Sequence, residues 1–156
     1  MDATELFFDT IRKGLNDRLE LQIANNASVV NAKDMRGFTP LIFATYFNNS
    51  EATEILLKHN AEVNIKDASG NTALLGVSFK GNVPLAKLLI DNNADVNAQN
   101  NSGITPLIYA VQYNQIEVVK LLLKHSADMS VKDNTGKTAL DYAKEKGLSE
   151  IKALLN

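Results

Sequence analysis

The sequence predicts an all-α protein built from repeated pairs of helices. Three observations predict this class: an internal period of 33 residues, a turn followed by a helix start in every copy, and apolar residues at helical spacing further along each copy. A chain of 156 residues has room for one domain of ordinary size. We therefore expect a single repeat domain over residues 1–156.

Four columns of residues recur together at the 33-residue step. They are Asp34, Asp67, Asn100 and Asp133; Gly37, Gly70, Gly103 and Gly136; Thr39, Thr72, Thr105 and Thr138; and Leu41, Leu74, Leu107 and Leu140. An Asp or Asn side chain bonds its own backbone in a turn, and the glycine three residues later supplies a positive φ or a close approach. Each copy therefore begins with a turn.

A short first helix is predicted to follow each turn. The threonine is a good N-cap, and Pro40 and Pro106 suit the first helical position, where the missing N–H costs nothing. The helix is predicted to end at a residue that enters the left-handed conformation readily. These end residues are Asn48, Gly81, Asn114 and Gly147.

A second helix is predicted from apolar residues at helical spacing, such as Leu85, Leu88 and Leu89 in the second copy. Pro84 starts this helix and does not break it. The predicted stops are Asn60, Asn93 and Ser126. The repeating unit is therefore turn, helix, turn, helix and extended loop.

The ends of the chain read as modified copies. Residues 1–33 carry a helix pair without the turn and form an N-terminal cap; 34–66, 67–99 and 100–132 are full repeats; and 133–156 is a C-terminal capping repeat. A stack of repeats needs a polar outer surface on its last unit. Lys144, Glu145, Lys146 and Lys152 supply one at the C-terminal end.

The repeated segments read RGFTPLIFATYFNN, SGNTALLGVSFKGN, SGITPLIYAVQYNQ and TGKTALDYAKEKGL. Together with the tails NAEVNIKD, NADVNAQN and SADMSVKD they resemble the ankyrin repeat. The resemblance implies an ankyrin-repeat solenoid of five stacked helix-turn-helix units with β-hairpin finger loops, acting as a protein-binding module. The family usually has His after Thr-Pro-Leu. The residues here are Ile42, Leu75, Ile108 and Asp141, which replaces a polar ladder between repeats by apolar packing in three copies.

Composition and motifs exclude several classes of function. The net charge of −2 argues against a polybasic nucleic-acid binder, and the absence of cysteine excludes thiol chemistry. No leader or membrane span is recognisable, so we expect a soluble, cytoplasmic chain. No catalytic motif or group of convergent polar residues occurs, so we expect no enzyme and no cofactor. His59 and His125 stand two repeats apart, too far to share a metal ion.

Positions that vary between copies indicate a binding surface, because the recurring positions serve the stack. Eight of the ten aromatic residues occupy the variable finger and first-helix positions. Exposed aromatic rings in a row are the residue type that carries interface energy. The predicted partner-binding residues are Arg36, Phe38, Phe43, Tyr46, Phe47, Gly76, Phe79, Lys80, Tyr109, Gln112, Tyr113 and Tyr142. An alternative for single rings, Phe43 and Tyr109 above all, is packing between adjacent repeats.

Two further features bear on this surface. Gly76 lies inside a predicted helix, where it is either merely tolerated or opens a notch between Phe43, Phe79 and Tyr109 for a partner side chain. Basic residues outnumber acidic ones on the same side. Either these side chains are only solvated by water, or they indicate a partner whose apolar groups are flanked by carboxylates. The basic residues are Arg12, Lys13, Lys33, Arg36, Lys66, Lys80, Lys132, Lys137 and Lys146.

The sequence thus favours a monomeric, non-catalytic module that binds another protein through the concave first-helix face and the finger loops. A dedicated regulatory or immunity-type inhibitor of one enzyme is an alternative that the sequence does not separate from a general adaptor. Aromatic residues mixed with basic ones also suggest nucleic-acid binding, but the pI near 5.7 argues against it.

Overall fold

The computed structural model, which describes residues 1–156, contains ten α-helices arranged as five consecutive pairs. The helices are α1 (Ala3–Arg12), α2 (Leu19–Asn25), α3 (Pro40–Tyr46), α4 (Ser50–Lys58), α5 (Ala73–Lys80), α6 (Val83–Asp91), α7 (Pro106–Gln112), α8 (Ile116–Lys124), α9 (Ala139–Glu145) and α10 (Ser149–Leu155). Short 3-10 helices at Asn16–Arg18 and Ala27–Asn31 belong to the first pair and its exit. The chain is an all-α repeat solenoid, as predicted.

Each first helix of the four repeats begins at its predicted threonine cap. The hydroxyl oxygen of Thr39 accepts a hydrogen bond from the N–H of Ile42 at 3.2 Å, and the other three caps repeat the contact. In the last repeat, the carboxylate of Asp141 also accepts from the N–H of Thr138 at 2.9 Å, which completes a capping box. The acidic residue in the family's histidine position therefore fixes the start of α9.

The predicted left-handed residues end these helices. Asn48, Gly81, Asn114 and Gly147 have φ angles of 54°, 79°, 54° and 65°. The second helices end in the same way, with φ angles of 63°, 70° and 63° at Asn60, Asn93 and Ser126. Because a positive φ turns the chain sharply, each second helix packs back against the first helix of its own pair.

The core lies between the two rows of helices. The first helices form a continuous row in which α1, α3, α5, α7 and α9 each contact the next. Leu41, Leu74 and Leu107 are 1% exposed, and the leucines of the second helices at 56, 89 and 122 are completely buried. Burial of one such side chain contributes about 2 kcal/mol, so each leucine of the repeating columns stabilises the stack.

The fingers are tight turns without strands, so the β-hairpins that the resemblance implies are not seen in them. In the first finger, the carboxylate of Asp34 accepts hydrogen bonds from the N–H groups of Arg36 and Phe38, both at 2.9 Å. The other three fingers have the same pair of contacts. The side chain occupies N–H groups that a longer strand ladder would need.

Neighbouring fingers are joined by one main-chain hydrogen bond each. The N–H of Ala68 donates to the carbonyl of Arg36 at 3.3 Å, and the N–H of Asn101 donates to the carbonyl of Ser69 at 3.1 Å. The third link runs from Asn134 to Ser102 at 3.0 Å. The fingers therefore keep a fixed spacing along the stack.

A column of asparagines links the extended loops of successive repeats. The side-chain oxygens of Asn31, Asn64 and Asn97 accept hydrogen bonds from the N–H groups of Glu62, Asp95 and Asp128 at 2.9, 2.8 and 2.8 Å. Sequence analysis expected apolar packing to replace the polar ladder and missed this column. Its signal was present, because these asparagines stand 33 residues apart.

The asparagine column predicts a measurable cost for its loss. Asn64→Ala removes the acceptor for Asp95 and a donor to the carbonyl of Asn93. We expect the free energy of unfolding to fall by about 1 kcal/mol in urea denaturation. Glu54→Ala is the control, since Glu54 is exposed and its side chain has no hydrogen bond or ion pair. Equal stability of the two variants would show that the column contributes nothing.

Asp133 is a buried carboxylate in the last finger. Burial alone would raise its pKa, but hydrogen bonds from Thr135, Tyr142 and the N–H groups of the turn outweigh this and lower the pKa from 3.8 to about 2. The hydroxyl of Tyr142 donates to the second carboxylate oxygen. The charged form of Asp133 is therefore stabilised by folding.

The pKa of Asp133 predicts a pH-dependent contribution to stability. Because the folded pKa lies below the unfolded one, the contribution is complete above pH about 4 and disappears as the pH falls through about 2. Asp133→Asn should keep the turn, because Asn100 makes the equivalent turn contacts in the third repeat. We expect it to lower the free energy of unfolding by about 1 to 2 kcal/mol at neutral pH and by much less near pH 2. A constant difference across a pH series of urea denaturations would contradict this.

Candidate functional site

The first-helix face, which is the outer side of α3, α5, α7 and α9 together with the four fingers, exposes several of the predicted aromatic residues. Tyr46 is 54% exposed, Phe47 43%, Phe79 41% and Tyr113 51%. These rings lie at the ends of three neighbouring helices, α3, α5 and α7. The other exposed large apolar side chains, Met1, Leu6, Leu21, Met35 and Met129, are not aromatic, so exposed aromatic rings occur only on this face.

The structure corrects the predicted exposure of Phe43, because its ring is only 7% exposed. It packs edge-on against Phe8 of α1 at a centroid distance of 5.1 Å and against Phe47 at 4.8 Å. The cap therefore covers Phe43. The prediction that this ring is exposed is wrong, and the alternative of packing between adjacent helix pairs applies to it. Phe38, Tyr109, Gln112 and Tyr142 are half-buried, between the two alternatives that the sequence left open.

The exposed rings support one another. Phe79 lies 4.2 Å from Tyr113 and 5.9 Å from Tyr109 between ring centroids, at interplanar angles of 60° and 75°. Tyr46 and Phe47 form an edge-to-face pair at 5.1 Å. Contacts of this kind favour fixed ring positions, so a partner would meet a partly ordered aromatic surface.

Two cations lie over aromatic rings on the same face. The ammonium of Lys80 is 4.0 Å from the centroid of Tyr46 and donates a hydrogen bond to the Tyr46 carbonyl, which ties α5 to α3. The guanidinium of Arg36 lies 4.4 Å from the centroid of Phe38. Positive charge therefore stands beside the exposed rings.

The positive character of this face is weaker than the sequence suggested. Arg12 and Lys13 both pair with Asp9, and Lys137 pairs with Glu145 at 2.8 Å. Arg36 contacts Asp34 at 3.3 Å. The ion pairs offset much of the predicted excess, because Asp9 and Glu145, which the sequence places on the same side, and Asp34 of the first finger lie within reach of these cations.

A cavity of about 260 Å³ opens on this face above Gly76. Phe38, Ile42 and Tyr46 border it from the first repeat, and Phe79 and Tyr109 border it from the second and third. The structure therefore contains a notch at Gly76, which was one of the two interpretations that the sequence left open. Its predicted contact with Phe43 is wrong, because Phe43 does not line the cavity.

Polar groups form the finger side of the cavity. Asp67, Asn71 and Thr72 line it. The hydroxyl oxygen of Tyr109 accepts a hydrogen bond from the side-chain amide of Asn100 at 3.1 Å, and burial raises the pKa of Tyr109 above its usual value. Tyr109 is therefore a neutral phenol with a fixed position at the rim.

The two histidines, which the sequence predicts to be too far apart to share a metal ion, lie at the ends of second helices. His59 follows α4 and contacts the carboxylate of Glu20 at 2.7 Å, and His125 follows α8. No group of three or more His, Asp or Glu side chains is placed to hold a metal ion. None of the helices is long and apolar enough to span a membrane.

Gly76 predicts a gain in stability on substitution. It lies inside α5, and a Cβ added there would meet no atom within 4 Å. Because alanine favours a helix interior over glycine, we expect Gly76→Ala to raise the free energy of unfolding by roughly 1 kcal/mol. Gly103→Ala is the contrast: φ there is 74° and the new Cβ would stand 2.6 Å from the Asn134 side chain, so stability should fall. Thermal and urea unfolding of both variants check the opposite signs.

Comparison with known families agrees with the geometry. The family model described as ankyrin repeats (3 copies) matches residues 7–100 and again residues 75–156. No curated protein matches the chain significantly. Ankyrin repeats are protein–protein interaction modules, and the two matches together span almost the whole chain. With its turn, helix, turn and helix units stacked in register, the chain belongs to the ankyrin repeat family.

Proposed function

We propose that this chain is a non-catalytic module that binds another protein through its first-helix face and fingers. The observation that carries the proposal is the exposure of Tyr46, Phe47, Phe79 and Tyr113 on three neighbouring helices. In this proposal residues 1–156 act as one domain, as a monomer and in the cytoplasm. Membership of a family of interaction modules supports the general role.

The exposed rings suit a binding surface for a physical reason. Each ring removes a large apolar area from water when a partner covers it, and it loses little side-chain entropy. The contacts among Phe79, Tyr109 and Tyr113 further limit the freedom that binding would have to remove. We therefore place the centre of the interface between α3 and α7, with Gln112 and Tyr142 at its edge.

The charges beside the rings indicate the chemistry of the partner. Lys80 has no carboxylate partner, and Arg36 shares its charge with Asp34 alone. A partner that offers apolar side chains flanked by carboxylates would pair with these two cations at the rim. Such pairs steer association and set the register more than they add affinity.

Nucleic acid is the weaker candidate for this surface. A strand-binding groove needs unpaired cations that follow a phosphate backbone. Arg12, Lys13 and Lys137 are instead engaged by carboxylates. A dedicated inhibitor of one enzyme would bind its target through the same face as a general adaptor. Identification of the partner distinguishes these two functions.

Affinity capture from the native organism tests the proposal. The triple variant Tyr46→Ala, Phe79→Ala and Tyr113→Ala should lose the captured partner, with binding reduced at least about 100-fold if two rings contribute roughly 1.5 kcal/mol each. The double variant Leu21→Ala and Met129→Ala is the matched control, because these apolar side chains are exposed away from the face. Circular dichroism establishes that both variants are folded.

Retention of the partner by the folded triple variant would refute the proposal. Loss of the partner from the control alone would move the interface to another side of the stack. A gel-shift assay at low salt with single-stranded and double-stranded DNA and RNA covers the nucleic-acid alternative, and a retarded band abolished by the triple variant would replace the protein partner by nucleic acid.

A further inference from the structure

One position of the first-helix face breaks an otherwise aromatic column. The position nine residues after the finger Asp or Asn holds Phe43, Tyr109 and Tyr142 in three repeats and Gly76 in the other. The cavity of about 260 Å³ lies at this glycine. The second repeat therefore lacks the ring that each of the other repeats supplies.

The two tyrosines of the column make the same type of contact. The hydroxyl of Tyr142 donates to a carboxylate oxygen of Asp133, the residue that begins its own finger. The hydroxyl oxygen of Tyr109 accepts a hydrogen bond from the side-chain amide of Asn100, which begins the finger of its own repeat. In both repeats a phenol hydroxyl thus satisfies the second polar atom of the finger side chain.

Asp67 is the corresponding finger residue of the second repeat. Its Oδ1 accepts hydrogen bonds from the N–H groups of Ser69 and Asn71, both at 2.9 Å. Its Oδ2 accepts no hydrogen bond from the protein, because Gly76 brings no hydroxyl to it. Asp67 lines the cavity, so this free acceptor and the missing ring belong to the same space.

The size of the cavity fits one aromatic side chain. A protein cavity of about 150 Å³ is large enough to hold a benzene ring. The cavity above Gly76 is larger than this, and a Cβ at Gly76 would meet nothing within 4 Å. Rings or methyl groups of Ile42, Phe79 and Tyr109 would contact a ring placed there.

We propose, resting on the protein-binding function above, that the cavity receives a tyrosine side chain of the partner protein. The inserted ring lies between the first and third repeats, and its hydroxyl donates to Oδ2 of Asp67 as that of Tyr142 does to Asp133. The partner thereby completes the aromatic column that the chain itself leaves incomplete.

The charges around the cavity select this side chain. A phenylalanine or leucine would cover the free carboxylate oxygen of Asp67 without offering it a donor, which costs binding energy. An acidic side chain would meet the negative charge of Asp67. A lysine or arginine could pair with Asp67, but it would bring a second cation next to Lys80 in the same cavity. A neutral ring with one hydroxyl donor avoids all three penalties.

A ligand titration followed by NMR tests the proposal without the partner. The probes are N-acetyl-L-tyrosinamide and N-acetyl-L-phenylalaninamide, added to the full chain labelled with 15N. We expect shift changes confined to the residues around Gly76 and at least about tenfold tighter binding of the tyrosine probe, since one hydrogen bond to a carboxylate separates the two. Shift changes elsewhere, none at all, or equal affinities would overturn the proposal.

Substitution of Asp67 isolates the hydroxyl contact. Asp67→Ser keeps one side-chain acceptor for the N–H groups of the turn, although a weaker one, and removes Oδ2; Asn would not serve here, because the Asn100 amide donates to the Tyr109 hydroxyl in the next repeat. We expect the preference for the tyrosine probe to fall to about twofold or less, while the phenylalanine probe binds as before. An unchanged preference would place the hydroxyl elsewhere and contradict the assignment.

Substitution of Gly76 isolates the space. Gly76→Tyr restores the column within the chain and should abolish binding of both probes while raising the melting temperature. Gly76→Phe fills the same space without a hydroxyl and serves if the first variant does not fold. Glu54→Ala should bind both probes like the wild type. Undiminished probe binding by a folded Gly76 variant would overturn the proposal.

The same variants separate this proposal from the proposed function. Partner capture that is lost in the aromatic triple variant but kept in Gly76→Phe would leave the binding face intact and refute the tyrosine pocket. Selective probe binding at Gly76, combined with partner capture that survives the triple variant, would refute the face as the interface and keep the pocket as a tyrosine site.

Discussion

Each helix pair in this chain buries its apolar side against the next pair, and the rest of the structure depends on that contact. A single pair of short helices would expose the leucine columns, so the unit becomes stable only when neighbours cover it. The stacked first helices bring their outer sides into one row, and the linked fingers keep the spacing constant. The candidate surface is therefore a product of the stack, since no single repeat contains it.

The polar contacts between repeats show how register is maintained. The asparagine column at Asn31, Asn64 and Asn97 and the single bonds between fingers lie at the edges of the stack, while apolar residues fill the middle. Each bond contributes little by itself. Because all of them require the same offset between neighbours, they oppose sliding of one pair over the next. The fixed offset is what places the exposed rings of Tyr46, Phe79 and Tyr113 on one side of the stack.

Gly76 illustrates how a repeat protein acquires a specific feature. The surrounding repeats supply walls made of Ile42, Tyr46, Phe79 and Tyr109, and the loss of one side chain leaves a cavity without disturbing the helix. The absence of a hydroxyl at this position also leaves Oδ2 of Asp67 without a hydrogen bond from the protein. Shape and polarity therefore change together at one position, while the scaffold around it stays the same.

The sequence alone determined the 33-residue period. It also determined the features that a few consecutive residues decide, which are the threonine caps and the left-handed stops at residues such as Asn48 and Asn93. These follow from backbone geometry and local hydrogen bonds, which neighbouring side chains fix. Only the tertiary structure decided that Phe8 covers Phe43, that Lys80 of α5 lies over the Tyr46 ring of α3, and which residues border the cavity. Each of those outcomes joins different turns or helices, and its geometry is set by packing distances that a one-dimensional pattern does not contain.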